Sequence, residues 1–436
     1  MGVELYPFQR EGVNFLLQAK RAILADDMGL GKTAQALMAA RGKTLVVAPA
    51  AFEGIWDDAI ATWRGQLDPD LDLWFTSYNT VTRRGEGGTT YAAPRAELKI
   101  PWDTIICDEA HYLKGRKTKW TQAVTRLKSE RLYLLTGTPI PNWSHEIFMS
   151  LRLMYPGDSR FSRYWDWVIL WFDTWDPPWG GTQIKGLRKD RTWEQFYTAN
   201  GLDGRWMRRL FDEVMAELPP LTQQNTLLDM LTKQKQIYRQ VDKDMYAQLD
   251  SGHEVMAWSQ GGIYTKLHKL SSGIEIEDPA TRSSNKLDML EDLVEQRGDR
   301  ATLVLCRFRR TVEEVARRLG PETLQITGAT PPGQRHPMIE RYQGGEGRVL
   351  VATIDTVAEG YTLTRADCAI FVERHPRPTK NQQAAGRIRR IGQTEPTQQI
   401  DLLSKHSVDI KFTDMLRSKT DDQMAAMNVW DLMARA

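Results

Sequence analysis

Three groups of residues in this chain have the types and the spacing to handle a polyphosphate. The first is Ala25-Asp26-Asp27-Met28-Gly29-Leu30-Gly31-Lys32-Thr33. Gly29 and Gly31 allow a tight turn whose backbone N–H groups face an anion, and the start of a following helix adds a favourable dipole. In such a loop, lined by Asp27, Met28, Gly29, Leu30 and Gly31, Lys32 reaches the terminal phosphates and the Thr33 hydroxyl ligates Mg²⁺. The strict spacing G-x-x-x-x-G-K-[ST] wants glycine at position 26, where this chain has Asp26. The second group is Asp108-Glu109-Ala110-His111, placed directly after the apolar run Thr104–Cys107. Two carboxylates at a strand end can divide the work: Asp108 holds the metal, and Glu109 orients and deprotonates the attacking water. The third is Gln383 to Gln393, in which Arg387 and Arg390 stand three residues apart. On a helix that spacing puts both on one face, where they would stabilise charge developing on a γ-phosphate. Each group has a plainer reading: a glycine turn, an acidic strand end, a basic surface helix. Their occurrence together and in this order favours the phosphate chemistry, with ATP and Mg²⁺ as the implied ligands.

The elements that must position these groups are legible in outline. Ala22–Ala25, Thr44–Pro49, Leu73–Tyr78, Thr104–Cys107 and Leu132–Leu135 are strand-like runs, separated by helical stretches such as Phe52–Trp63. Strands alternating with helices imply a parallel sheet covered on both faces, so the fold class is α/β. Upstream, Pro7-Phe8-Gln9 opens an amphipathic helix ending near Lys20, and the Gln9 amide could read adenine through its donor and acceptor. Residues 83–95, with Gly85, Gly87, Gly88 and Pro94, read as an exposed loop. Thr136 and Thr138, in the turn after Leu132–Leu135, either relay nucleotide state toward a nucleic-acid surface or merely cap that turn.

Residues 151–230 break this rhythm. Phe161, Tyr164, Trp165, Val168, Trp171, Phe172 and Trp175 fall at helical spacing, and Asp176-Pro177-Pro178-Trp179 stops that helix. Such an aromatic stripe is ordinarily the core of a small helical insertion, the other reading being stacking on bases. Residues 231–285, with Gly252, Gly261, Gly262 and Gly273, read as a helical linker. Alternation resumes from 286 with strands at Thr302–Cys306, Thr323–Thr327, Arg348–Ala352 and Cys368–Val372, a second α/β unit without a phosphate loop of its own. The expected organisation is therefore residues 1–150 as a first lobe, 151–230 as insertion, 231–285 as linker and 286–436 as a second lobe, with ATP in the cleft between the lobes.

Taken together, Pro7-Phe8-Gln9, Ala25 to Thr33, Asp108-Glu109-Ala110-His111, Leu134-Leu135-Thr136-Gly137-Thr138-Pro139 and Gln383 to Gln393 resemble the Swi/Snf family of double-stranded-DNA translocases in helicase superfamily two. The family's loop reads Met-Gly-Leu-Gly-Lys-Thr, so Asp26 is expected under the resemblance. What the resemblance implies is two RecA-like lobes and ATP-driven movement along duplex or branched DNA without sequence preference, acting as a monomer. It also implies finger roles for Arg387 and Arg390, and a helical insertion ending in Arg208-Arg209 and Leu218-Pro219-Pro220, with Arg208 and Arg209 near DNA. Arg389 stands where the family has histidine. In Ala358-Glu359-Gly360-Tyr361-Thr362, only Gly360 is kept from the family's Gly-Gly-x-Gly segment, assigned to the nucleotide. Gly360, Thr362 and Glu373 stand nearer the annealing-helicase, fork-remodelling branch. A strand-separating helicase on DNA or RNA, or an ATP-gated clamp with little turnover, shares the same motifs.

Bulk properties narrow the class further. With 436 residues, 41% of them apolar, the chain can build two or three ordinary domains. Its formal net charge of +2 means that polyanion binding must come from local patches. Cys107, Cys306 and Cys368 lie far apart inside strand-like runs, without disulfide or metal-ligand spacing, which fits a reducing interior. The N-terminus is too polar for a signal peptide and no apolar run reaches transmembrane length, so an intracellular protein without a membrane partner is expected, cytoplasmic and nucleoid-associated if its source is a prokaryote or phage.

Overall fold

Successive side chains of a strand point to opposite faces, so an unbroken apolar run needs cover on both sides. The computed structural model shows that cover. Ile105 and Cys107 pack with Ile23, Leu45, Val47, Leu132 and Leu134 on one face of a sheet. Ile106 packs with Ala22, Leu24, Val46, Tyr133 and Leu135 on the other. The sheet has six strands in the order Trp206–Met207, Arg21–Leu24, Lys128–Leu135, Pro101–Asp108, Lys43–Ala48 and Asp72–Ser77, all parallel. A second parallel sheet orders Leu221–Leu228, Thr397–Ser404, Cys368–Phe371, Thr302–Cys306, Val349–Thr353 and Leu324–Ile326. It alternates in the same way, Leu303 and Leu305 facing one core and Val304 and Cys306 the other. The fold is α/β with two parallel-sheet lobes.

The structure describes residues 4–84, 90–178, 180–215, 221–244, 246–248, 254–256, 260–273, 284–358, 360–390 and 392–435. Expectations about Gly85, Gly87, Gly88, Trp179, Leu218-Pro219-Pro220, Gly252, Glu359 and Ile391 lie outside the described residues. The chain divides into one unit of Met1–Ala216 with Lys419–Ala436, and another of Glu217–Ser418. Among the described residues no helix is long and apolar enough to cross a membrane.

These boundaries differ from the expected ones in three places. The strand Leu221–Leu228, expected inside the insertion, pairs with Thr397–Ser404 at the edge of the second sheet. Its residues Leu-Thr-Gln-Gln-Asn-Thr-Leu-Leu are mostly exposed, as an edge strand allows, so it carries no hydrophobic signal. The insertion is not wholly helical: the helix Tyr164–Trp171 ends early, and Phe172–Trp175 pairs antiparallel with Gln183–Leu187. Within it Phe161, Trp167, Val168, Trp171 and Phe172 are core, whereas Trp165 and Trp175 are 43% and 38% exposed. Finally, the end of the long helix Val408–Arg435 belongs to the first unit, not the second. Ala426, Met427 and Trp430 are buried in the first unit's core, with Met424 and Met433 packed against it.

Trp430 shows how much that terminal segment contributes. It is fully buried, stacked on Phe196 at 5.5 Å and edge-on to Trp206 at 5.1 Å and Trp193 at 5.9 Å. Beside it Asp431 accepts hydrogen bonds from the Trp206 indole (2.9 Å) and from Arg208 (2.6 Å). Trp430→Ala is expected to cost the first unit about 3–5 kcal/mol, read as a lower urea midpoint. An unchanged midpoint would show the C-terminal turns to be dispensable.

Candidate functional site

Parallel topology delivers the candidate groups to one sheet edge. Leu24, which leads into the glycine loop, is in register with Leu135, and Leu135 on its other side with Asp108. Strands lie about 4.8 Å apart, so the glycine loop, the Thr136 turn and the acid pair leave the carboxyl edge side by side within about 10 Å.

The glycine loop is shaped by two left-handed residues, Gly29 (φ 85°) and Gly31 (φ 70°), and Gly31 caps the helix Lys32–Ala39. A side chain at Gly31 would collide with the Gln9 amide. Lys32 Nζ donates to the carbonyls of Asp26 (2.7 Å) and Asp27 (3.0 Å), and Thr33 follows in the first helical turn. Gln9, expected to read adenine, is 5% exposed and spans two protein partners. Its Nε2 donates to the Leu30 carbonyl (3.2 Å) and its Oε1 accepts from Tyr6 N (3.0 Å). It therefore pins the loop to the first helix.

Asp26 proves to be the anchor of this loop. Fully buried, it accepts from Arg209 Nε (3.0 Å), Arg209 Nη2 (2.5 Å), Arg209 N (3.1 Å) and Gln35 Nε2 (3.2 Å). Arg209 also donates to the Phe8 carbonyl and to Gln35 Oε1 (2.8 Å). Arg208 pairs with Asp431 at 2.6 Å and approaches Asp27 at 4.0 Å. Both arginines, expected near DNA, are thus under 10% exposed and spent on internal carboxylates. That expectation gives way to a structural role at the base of the loop.

The acid pair sits at a strained turn. Glu109 has φ 50° and ψ 50°, a left-handed conformation costing a non-glycine residue about 1–2 kcal/mol. The turn lets Glu109 N donate to Asp108 Oδ1 at 2.9 Å. The Trp56 indole donates to Asp108 Oδ2 at 3.1 Å, and Tyr78 OH to the Asp108 carbonyl at 2.8 Å. Burial, and after it the Glu109 charge, push the Asp108 carboxyl up to about 7. A divalent cation would relieve both causes. One carboxylate and the Thr33 hydroxyl are hard oxygen donors of the kind Mg²⁺ accepts, with phosphate and water completing its shell. The residues present therefore fit that ion.

His111 joins the acid pair to the neighbouring strand. Its Nδ1 lies 3.1 Å from Glu109 Oε2 and 3.3 Å from both Thr136 Oγ1 and Thr138 Oγ1. Thr138 N donates to Thr136 Oγ1 at 3.0 Å, and both threonines are buried. His111 thus hydrogen-bonds the threonine turn and stands within ion-pair distance of Glu109.

Comparison with known proteins places the chain in a family. Residues 8–271 match the model of the SNF2-related domain, and residues 285–392 that of the helicase conserved C-terminal domain. The chain belongs to the SNF2-related family. Similar relatives include a SWI/SNF-related, matrix-associated, actin-dependent regulator of chromatin subfamily A-like protein 1 from Xenopus tropicalis, 27% identical over 96% of this chain and 44% of that protein. Human DNA annealing helicase and endonuclease ZRANB3 is 24% identical over 98% and 40%. The yeast ISWI chromatin-remodeling complex ATPase ISW1 is 26% identical over 95% and 40%. The chain spans less than half the length of these relatives. A solved SWI2/SNF2 ATPase core from Sulfolobus solfataricus in complex with double-stranded DNA is 19% identical, covering 100% of this chain and 96% of that one, with a TM-score of 0.41.

The remaining candidate residues of this SNF2-related chain lie in its second unit. Arg387 and Arg390 do not share a helix face, because the helix Pro378–Ala385 ends before either. Arg387 is buried and donates to the Ala358 carbonyl, and Arg390 donates to Thr362 Oγ1 at 3.0 Å. Both therefore brace the segment around Gly360, whose φ of 106° needs glycine. Sequence reasoning missed Trp56, Tyr78 and Gln35. Trp56 reads as core from its helical spacing, and only the adjacency of Lys43–Ala48 to Pro101–Asp108 reveals that its indole reaches the acid pair.

Restoring the strict loop glycine tests the anchor. Asp26→Gly leaves the Arg209 guanidinium buried without its carboxylate, an arrangement that costs about 3–5 kcal/mol. We expect a correspondingly lower urea midpoint, and an unaltered or raised midpoint would refute the anchoring role.

Proposed function

We propose that this chain is a DNA-dependent ATPase that translocates along double-stranded DNA, holding it by the phosphate backbone without regard to sequence. One observation carries the reading. A phosphate loop, a metal-ready carboxylate and a second acid linked through His111 to the next strand's threonines stand side by side on one sheet edge. Membership of the SNF2-related family, and relatives whose names include a chromatin-remodeling ATPase and a DNA annealing helicase, support it.

In this reading the N–H groups of Asp27 to Gly31 cradle the phosphates and Lys32 neutralises the terminal ones. Thr33 and Asp108 would hold Mg²⁺, which would supply Lewis-acid stabilisation of the transferring phosphoryl group. Glu109 orients the attacking water and takes its proton, while the Trp56 N–H keeps the Asp108 carboxylate in place. Hydrolysis alters what Glu109 can hold, and His111 passes that change to Thr136 and Thr138. Arg387 and Arg390 act on the charge that develops at the γ-phosphate, held by their contacts to the Gly360 segment. Gly360, Thr362 and the buried Glu373 lean toward the annealing-helicase branch, so branched duplexes are the favoured substrates.

Turnover tests the assignment directly. Glu109→Gln should lower kcat about 10²–10⁴-fold with nucleotide still bound, and Lys32→Ala should abolish turnover; near-normal ATPase activity in either would sink the site. If Arg387 and Arg390 act as fingers, alanine at either position should reduce kcat by roughly 10³–10⁵. An effect confined to nucleotide affinity would remove that role.

The partner is tested by measuring ATPase stimulation with duplex DNA, single-stranded DNA and RNA. Duplex DNA should stimulate most, with triplex displacement but no separation of a tailed duplex. Strand separation would instead indicate a helicase, and nucleotide-dependent DNA binding without turnover a clamp.

A further inference from the structure

Beyond the nucleotide groups, the first unit carries a cavity of about 460 Å³, lined from the chain just after the acid pair. Its lining includes Lys114, Arg116, Lys117, Glu146 and Tyr164. The short turn Ala110–Lys114 leads into it directly from Glu109, so the cavity wall is covalently continuous with the acid pair. Its other side comes from the segment that follows the Thr136–Thr138 turn.

The charge around this cavity is one-sided. Lys114-Gly115-Arg116-Lys117-Thr118-Lys119 holds four cations and no acid. Glu146 is already engaged: it pairs with Lys114 at 2.8 Å and accepts from Asn142 N at 2.9 Å and from Asn142 Nδ2. Among the described residues, Arg116, Lys117 and Lys119 make no ion pair with any carboxylate. Arg116 instead lies flat over the Tyr164 ring, 3.5 Å from its centroid, and Tyr164 packs edge-on to Phe148 at 5.1 Å. That contact holds the guanidinium against an aromatic face at the cavity's lining. Lys117 and Lys119 are exposed beside it. Three cations kept together without counter-charge repel one another, and an anionic partner removes that repulsion. The chain's net charge of only +2 makes such a cluster a local feature rather than a general field.

We infer that Arg116, Lys117 and Lys119 form a grip for consecutive phosphates of a nucleic-acid backbone, reporting its presence to Glu109 through the Ala110–Lys114 turn. The inference rests on the DNA-dependent reading above and adds a site to it, in place of the buried Arg208 and Arg209. A polymer suits the site better than a small anion. Exposed lysines bind an isolated ion weakly, whereas neutralising neighbouring phosphates of a polyelectrolyte releases condensed counterions. The stacked arginine adds the planar, multi-donor contact that phosphate oxygens favour.

The test compares two charge-matched double variants of the full chain by fluorescence anisotropy with a labelled duplex across a salt series. Lys117→Gln/Lys119→Gln alters the proposed grip. Lys99→Gln/Lys128→Gln removes the same charge from exposed positions at the opposite, amino edge of the sheet, beside the starts of Pro101–Asp108 and Lys128–Leu135. The grip variant should bind duplex about tenfold more weakly at fixed salt, with the slope of log K against log salt shallower by roughly two. It should also need correspondingly more DNA for half-maximal ATPase stimulation. Arg116→Gln, tested separately, should weaken binding in the same direction. Equal losses in the two double variants, or none in the grip variant, would overturn the site while leaving DNA dependence intact. Absence of duplex binding by the unsubstituted chain would overturn both the site and the reading on which it rests.

Discussion

A carboxylate with no exposure to solvent stands at the base of the phosphate loop, and an arginine 183 residues away neutralises it. Burying two charges is unfavourable unless geometry and further hydrogen bonds recover the lost hydration. Here Arg209 binds Asp26 through both Nε and Nη2, Gln35 bridges the two side chains, and the Phe8 carbonyl takes another guanidinium proton. The pair therefore ties four separate pieces of chain: the first helix, the glycine loop, the helix Lys32–Ala39 and the segment after Trp206–Met207. Backbone bonds from Asp27 N to the Arg209 carbonyl (3.0 Å) and from Ala25 N to the Met207 carbonyl (2.7 Å) run alongside it. A glycine at position 26 would give the loop freedom; an aspartate gives it an address.

The second unit is held by the same kind of device. Lys286, fully buried, donates to Asp409 Oδ2 at 2.7 Å and to the Val372 carbonyl at 2.9 Å. Asp409 also accepts from Ser271 Oγ at 2.9 Å and from Ser404 N at 3.0 Å. One buried pair thus joins the helix Gln260–Ser271, the helix Asn285–Gln296 and the ends of two sheet strands. Breaking either pair leaves a charge in a low-dielectric interior, so each is a strict condition on how distant segments meet. Apolar packing alone tolerates small shifts in such meetings, and a buried ion pair does not.

Strands that are buried on both faces announce themselves, and the central ones could be read from composition alone: Thr302–Cys306 has the same bounds in sequence and structure. The order of loop, acid pair and arginine segment was equally legible, because phosphate chemistry restricts residue type. What escaped was whatever depends on a partner distant in sequence. The strand Leu221–Leu228 has an edge strand's polar surface and resembles a loop. The helix Val408–Arg435 shows an apolar stripe at its end, but amphipathicity states that a helix needs a partner without saying which. Arg208 and Arg209 look like a basic surface pair until Asp431 and Asp26 are brought to them. The spacing of Arg387 and Arg390 predicts one helix face, but the helix stops at Ala385 and their positions are set by contacts to Ala358 and Thr362 instead.

The acid pair shows why strain and rigidity belong together here. Glu109 is left-handed, Asp108 is desolvated, and both conditions persist because the surroundings over-determine them: Trp56 and Tyr78 hold Asp108, and His111 holds Glu109 against two threonines. Strain of this kind persists only where the surroundings impose it, and it clusters at functional sites. A change at the Glu109 carboxylate has two short routes outward, one through His111 to the Thr136–Thr138 turn and one along the backbone to Lys114. The second ends at the wall of the cavity, where Lys114 pairs with Glu146. The Lys114–Glu146 pair therefore ties the segment after the acid pair to the segment after the threonine turn. If binding at the proposed grip alters the acid pair, thermodynamic linkage requires that occupancy of the acid pair alter that binding equally.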